Sequence, residues 1–277
     1  NYSKSNVFRE LMFIYDFIQK TLVLRITKFI DELDENCIID ITKFRNLTTL
    51  EIHRVPVKQI KGLQSLRIQL QELVVEKCLT SVKELIIHCA GDKCSGFIWN
   101  NLKRLDLSYN QLDRVESSFE FTPYIQHLNL SHNKIVHISA LVWLPNLKVL
   151  NLSFNQLTTI PKLNNESMRR LQVLTLNDNC IEDVSGVVRL EALLELDISG
   201  NCLLDHALLL PLCTLTCLRY LNLFGNPLAF HPKHRIATCR YLSKNAASVQ
   251  FYLDGEILSR SENALTGNYE NYYPLFG

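Results

Sequence analysis

The feature that most constrains this chain is a phrase that recurs between residues 102 and 160. It reads Leu102-Lys103-Arg104-Leu105-Asp106-Leu107-Ser108-Tyr109-Asn110-Gln111-Leu112, and it returns from Ile125 and from Leu147 with apolar residues at the same offsets. Asn holds the ninth place of each phrase, as Asn110, Asn133 and Asn155. Alternation within the phrase predicts a short strand, with Leu105 and Leu107, Leu128 and Leu130, and Leu150 and Leu152 facing inward and the residues between them facing out. One such unit cannot bury its own leucines, so neighbours must stack. A buried Asn side chain can pair with backbone groups in the turn that leaves the strand, and losing one such partner costs about 1–3 kcal/mol.

This is the leucine-rich-repeat pattern. It predicts an α/β solenoid, a curved parallel sheet with short convex helices or turns and a helical cap at each end. Repeats begin at Leu47, Leu70, Leu102, Ile125, Leu147, Leu171, Leu193 and Leu218. The first two are imperfect, with Val55 and Cys78 in the Asn slot. Residues 1–46 are expected to hold a capping helix, with Leu11, Phe13, Ile14, Phe17 and Ile18 near helical spacing, and a first strand after Thr21. That helix is expected to cover the open end of the stack, and Asp31 to Asp40 to form a loop. The repeats fill 47–228. An insertion over 79–101 is predicted to carry a helix through Val82, Leu85, Ile86 and Cys89, stopped at Gly91 and packed on the convex side. Short repeats leave room there for little more than a turn, carrying pairs such as Ile138 and Leu141 or Val184 and Val187. A C-terminal cap is expected over 229–258, with a helix starting near Pro232 and turning Ile236, Cys239 and Leu242 inward. Phe251 to Gly255 reads as a turn, and 259–277 as a tail that is mobile or lies along the cap.

Several function classes are disfavoured. The 277 residues carry a net charge of +1 and no basic run with interleaved aromatics, so no nucleic-acid partner is expected. The longest apolar passage, Leu203 to Leu218, is broken by Asp205 and His206 and predicts no transmembrane segment. Nine cysteines is an odd number, and most occupy repeat slots, so reduced thiols in a cytoplasmic protein are expected. Cys89 and Cys94 could be half of a zinc site, but no second pair follows at metal-finger distance. No phosphate-binding glycine loop or nucleophile motif is present, and His231 and His234, on either side of Pro232, are expected to serve a surface or capping role. The expectation is therefore neither an enzyme nor a cofactor-binding protein. The sequons at Asn46, Asn129 and Asn151 read as accidents of the repeat. The chain opens at Asn1 and is expected to be part of a longer protein.

What remains is a protein-binding surface on the concave face. The place before each Asn reads Tyr109, His132, Phe154 and Asp178, so on three neighbouring rungs about 4.8 Å apart ring should stack on ring. Beside them run Asp106, Asn129, Asn151, Thr175 and Asp197, with Arg104, His127, Glu195, Tyr220 and Phe224 toward the flanks. Aromatic anchors within a polar rim are what protein interfaces favour.

Three less generic stretches go further: Gln19 to Leu22; Cys89-Ala90-Gly91-Asp92-Lys93-Cys94-Ser95; and Gly225 to Arg235 with Tyr241-Leu242-Ser243 and Leu253-Asp254-Gly255. Together they resemble the serine/threonine-protein kinase 11-interacting protein family over nearly the whole chain, in order. The repeats alone would equally fit a nischarin-like adaptor or a phosphatase regulatory subunit. An extracellular receptor ectodomain would need paired cysteines. The resemblance implies a cytoplasmic, non-enzymatic scaffold that binds a serine/threonine kinase and influences its localisation. It assigns kinase contacts to no residue, so the concave set rests on the repeat pattern alone, and it leaves the oligomeric state open.

Overall fold

The computed structural model describes residues 2–28, 37–94, 96–115 and 117–268. Its backbone is one long sheet in which chain order equals spatial order. The strands are β1 (Val23–Thr27), β2 (Thr49–His53), β3 (Glu72–Glu76), β4 (Arg104–Asp106), β5 (His127–Asn129), β6 (Val149–Asn151), β7 (Val173–Thr175), β8 (Glu195–Asp197), β9 (Tyr220–Asn222), β10 (Tyr252–Leu253) and β11 (Glu256–Ile257). All neighbours pair in parallel except β10 with β11. The register aligns one inward leucine per rung, Leu105 with Leu128, Leu150, Leu174, Leu196, Leu221 and Leu253. The core is a continuous column behind the sheet, including Leu107, Leu130, Leu152, Leu176, Ile198 and Leu223 from the strand exits. Ile138, Leu141, Val184 and Val187 close it from the convex side.

Asparagine fastens one repeat to the next. Asn155 accepts a hydrogen bond from Ile135 N (3.0 Å) and donates from Nδ2 to the carbonyls of Leu130 (3.0 Å) and Leu152 (3.0 Å). Asn133, Asn179 and Asn201 repeat that arrangement, each accepting from a backbone N–H of the preceding repeat. The first full bracket is Asn110, which accepts from both Cys78 N and Leu79 N. In the Asn slot of its own repeat, Cys78 is mostly buried, and burial pushes its thiol up to about 12.

The ends differ from expectation in instructive ways. Helix α1 (Tyr2–Lys20) precedes β1, but it does not lie over the stack: Phe8, Leu11, Phe13, Ile14 and Phe17 are all exposed. Its attachments are at its last turn, where Gln19 Nε2 donates to Lys43 O (2.6 Å) and Asn46 Nδ2 to Gln19 O (2.6 Å). The covering role is thus corrected: apolar spacing marked the helix but not which surface would bury it. Most of the expected acidic loop lies outside the described residues, and Ile39–Asp40 pairs with Ile60–Lys61. In the insertion, Val82, Leu85, Ile86 and Cys89 are buried, but helix α2 spans only Val82–Ile86. Gly91 is not its stop. It presses on the neighbouring repeat, where a Cβ would lie 2.5 Å from Ile60 O, and Cys89 takes the left-handed conformation instead.

At the other end, helix α3 (His234–Tyr241) buries Cys239 and is followed by buried Leu242, whereas Ile236 turns outward and His234 inward. The stretch read as a turn supplies the rung β10 before turning at Asp254 and Gly255. Helix α4 (Arg260–Asn263) opens with a capping box between Ser259 and Glu262, and Glu262 takes two bonds from Arg235 (2.7 and 3.2 Å). That pair holds the Glu262 carboxyl down at about 2.

Candidate protein-binding face

Most strands of the regular repeats end in a turn built by the residue that faces the concave side. Asp106, Asn129, Asn151 and Asp197 each accept, through Oδ1, the N–H of the residue two places on (2.8–3.1 Å). This is the Asx geometry that short polar side chains favour. The place directly after that donor turns left-handed: Tyr109, His132, Phe154 and Asp178 have φ of +53 to +54°, in one row with Arg54, Lys77, Gly200 and Gly225. A non-glycine residue there costs about 1–2 kcal/mol, which the flanking ladder of backbone and asparagine hydrogen bonds offsets.

That shared backbone state aligns the side chains. The rings of Tyr109 and His132 stack at 4.1 Å and 8°, and those of His132 and Phe154 at 4.2 Å and 10°. Lys77 Nζ extends the column from 5.8 Å above the Tyr109 ring. Tyr109 and Phe154 remain 47% and 44% exposed. The stack stands where the strands leave the sheet, at the margin of the concave face rather than its middle. Asp178 continues the row, and its carboxylate occupies the space that a side chain at Gly200 would need.

A second row crosses the sheet in register: Glu72, Arg104, His127, Val149, Val173, Glu195, Tyr220 and Tyr252. Val149 and Val173 divide it into two polar clusters. Arg104 and His127 line a cavity of about 280 Å³, and burial, with Arg104 and Lys148 adding, holds the His127 imidazole below its usual range. Glu195, Tyr220 and Tyr252 line one of about 620 Å³, with the two tyrosine rings stacked at 4.8 Å and 8°. Asp106 and Asp197 fall between the rows but are engaged within the chain, since their second oxygens accept from Asn129 (2.8 Å) and Asn222 (3.2 Å). Phe224 stands alone, 74% exposed, one place before Gly225. The sequence-derived set thus divides between two ends of one face. Tyr252 was missed, although Tyr252-Leu253-Asp254 echoes Tyr220-Leu221-Asn222.

Behind the second cluster, His234 is buried rather than superficial. It lies 2.9 Å from Asp254 through Nε2 and 3.0 Å from His206 Nε2 through Nδ1. Asp254 Oδ1 accepts Leu223 N (2.7 Å), so the chain of groups ties the cap to the last full repeat. Burial, reinforced by the neighbouring histidines, pushes His206 down to about 4. Among the described residues no group of His, Cys, Asp and Glu is placed to hold a metal ion, and no helix is long and apolar enough to cross a membrane.

Rungs in register, a recurring asparagine bracket and a narrow convex layer define a leucine-rich-repeat solenoid. The leucine rich repeat family model matches residues 95–135 and 145–203. Beyond that class, the chain belongs to the serine/threonine-protein kinase 11-interacting protein family. It is 36% identical to the serine/threonine-protein kinase 11-interacting protein of Gallus gallus over 258 residues, 91% of this chain and 24% of that protein. It is 37% identical to that of Homo sapiens over 261 residues, 93% of this chain and 24% of that protein. The chain therefore spans about a quarter of the length of the curated relatives it matches. Among solved structures, it is similar to internalin C2 from Listeria monocytogenes, with TM-score 0.47 and 22% identity, covering 78% of this chain and 79% of that one.

Proposed function

We propose that this chain is the binding module of a non-enzymatic, cytoplasmic scaffold that takes a serine/threonine kinase as its partner and influences where that kinase resides. The family relationship supports a kinase as partner, because the relatives are named for such an interaction. Nine free cysteines, several in repeat slots, are in keeping with a reducing compartment. The repeats over 47–228 form the module, with 1–46 and 229–258 as its ends and 259–277 as a tail.

The observation that carries the reading is the exposed column Lys77, Tyr109, His132 and Phe154. Pre-stacked rings offer a partner large contact area with little entropy left to lose, as interface anchors do. Arg104, His127 and Asp178 flank the column, and Glu195 with Tyr220 forms a second contact toward the cap. Asp106 and Asp197 serve this surface by shaping its turns, and Phe224 marks its rim.

The test is affinity capture of serine/threonine-protein kinase 11 by this chain and by a variant carrying Tyr109→Asn, His132→Asn and Phe154→Asn. Asn is chosen because it tolerates the left-handed backbone. Loss of at least about tenfold in affinity with an unchanged unfolding midpoint is expected for removal of hot-spot anchors. Undiminished capture would remove the column from the interface.

A further inference from the structure

The insertion between the second and third regular repeats holds an arrangement that partner binding does not use. Arg67 is only 3% exposed, and among the described residues its guanidinium meets no carboxylate. Its polar partners are two sulfurs: Nε faces Cys89 Sγ and Nη2 faces Cys94 Sγ as donors. The ring of Phe97 covers it at 5.1 Å. A buried cation is costly unless it is paired or well hydrogen-bonded, so this site is built around the two sulfurs.

The geometry brings those sulfurs side by side. Nε–H and Nη2–H leave the same edge of a planar fork, the edge that usually grips the two oxygens of one carboxylate. Cys94 lies close enough to Cys89 to act on its thiol by hydrogen bond and charge. The chain between them is folded back, with Cys89, Ala90 and Lys93 all at positive φ and Cys94 N bonded to His88 O (3.0 Å). Gly91 is pressed on Ile60 O, and the Asp92 carboxylate accepts the N–H groups of Gly62 and Gln64, each at 2.7 Å. The loop is thus clamped to the neighbouring repeat with its two cysteines on one cation.

The two sulfurs are not equivalent. Cys89 is buried, and burial pushes its thiol up to about 12. Cys94 is partly exposed, beside the guanidinium. Cysteines that attack peroxides sit in electropositive, partly exposed surroundings. We propose that Cys94 and Cys89 form an oxidation site for hydroperoxides, with Cys94 as the attacking and Cys89 as the resolving sulfur. The Cys94 sulfur attacks the peroxide, the O–O bond breaks, and Cys94 becomes a sulfenic acid while the peroxide leaves as water or an alcohol. The Cys89 sulfur then displaces the hydroxyl group, which leaves as water with the Cys89 proton, and a disulfide forms. Two thiols are oxidised and one hydroperoxide is reduced. Arg67 loses its paired acceptors in the process, which loosens the clamp between the insertion and the preceding repeat.

The test treats the reduced chain with hydrogen peroxide near stoichiometry and follows each cysteine by timed alkylation and peptide mass mapping. The exposed thiols of Cys180, Cys202 and Cys217 serve as internal standards. Cys94 is expected to react at least about tenfold faster than those standards, and the peptides bearing Cys89 and Cys94 to become joined with the loss of two hydrogens. Cys89→Ser should halt the reaction at a dimedone-reactive Cys94, and Cys94→Ser should leave Cys89 reduced. Oxidation of Cys94 no faster than of the three standards, or a fast Cys94 that never joins Cys89, would overturn the proposal. Both readings come from the unsubstituted chain, so they stand whether or not the two serine variants fold.

Discussion

The ring of Tyr252 lies flat against that of Tyr220, 4.8 Å away, because β10 pairs with β9 as though it were one more repeat. Phe251, next to it, is buried in the core. Neighbouring residues on one strand therefore do opposite work. Phe251→Ala should destabilise by about 3–5 kcal/mol, as aromatic deletions from cores do. Tyr252→Ala should cost no more than about 1.5 kcal/mol, the upper range for an aromatic pair. Equilibrium denaturation of the two variants checks this, and the reverse order would refute the register of the last rung.

Asn155 stands between two repeats with one accepted and three donated hydrogen bonds. Asn155→Ala would strand Ile135 N and the Leu130 and Leu152 carbonyls. Unsatisfied buried groups cost about 1–3 kcal/mol each, so a total loss of about 3 kcal/mol is expected after relaxation. A change below about 0.5 kcal/mol, within the range of ordinary surface substitutions, would show that water replaces the bracket.

The left-handed row makes stability depend on side-chain shape at an exposed place. Phe154→Val puts a β-branched residue at φ +54° and should cost about 1–2 kcal/mol. Phe154→Asn should be close to neutral. Equal unfolding midpoints for the two variants would argue against that backbone state.

Acid should weaken the C-terminal cap in two separable steps. His206 is held at about 4 against an ordinary 6.5, so below pH 6.5 the unfolded chain takes up a proton that the folded cap refuses. Its contribution is complete above 6.5 and is lost as pH falls toward 4. Glu262 is held at about 2 against an ordinary 4.5, so its contribution is complete above 4.5 and is lost between 4.5 and 2. Denaturant midpoints measured against pH should fall in both windows. His206→Gln should flatten the upper one and Glu262→Gln the lower one, and a variant that leaves its own window unchanged would reassign that step.

The repeat array was legible because one leucine pattern recurs along the chain and is read each time by one geometry, and Tyr109, His132 and Phe154 fell into register from counting alone. The parts hidden from the sequence are those that repetition does not govern. Helix α1 announced itself by its spacing, yet periodicity does not say what an apolar face will meet, and this one meets little of the solenoid. His234 could not be placed because its partners, His206 and Asp254, lie in a convex turn and at the end of the last rung. Asp106 and Asp197 looked like contact residues, but a carboxylate one place from a tight turn is drawn to the turn's N–H groups.

The asparagine brackets all lean one way, each reaching from its own repeat to the backbone of the one before. The stack therefore has unequal ends, as a growing filament does. A unit added last completes the hydrogen bonding of the unit beneath it and leaves its own turn waiting. Asn226 is the last bracket, and beyond it Asp254 accepts Leu223 N, whose counterparts in earlier repeats bond to a backbone carbonyl of the next strand. Truncation from the Asn1 end frees asparagine side chains that keep the carbonyls of their own repeat, whereas truncation from the Gly277 side reopens backbone donors one repeat at a time.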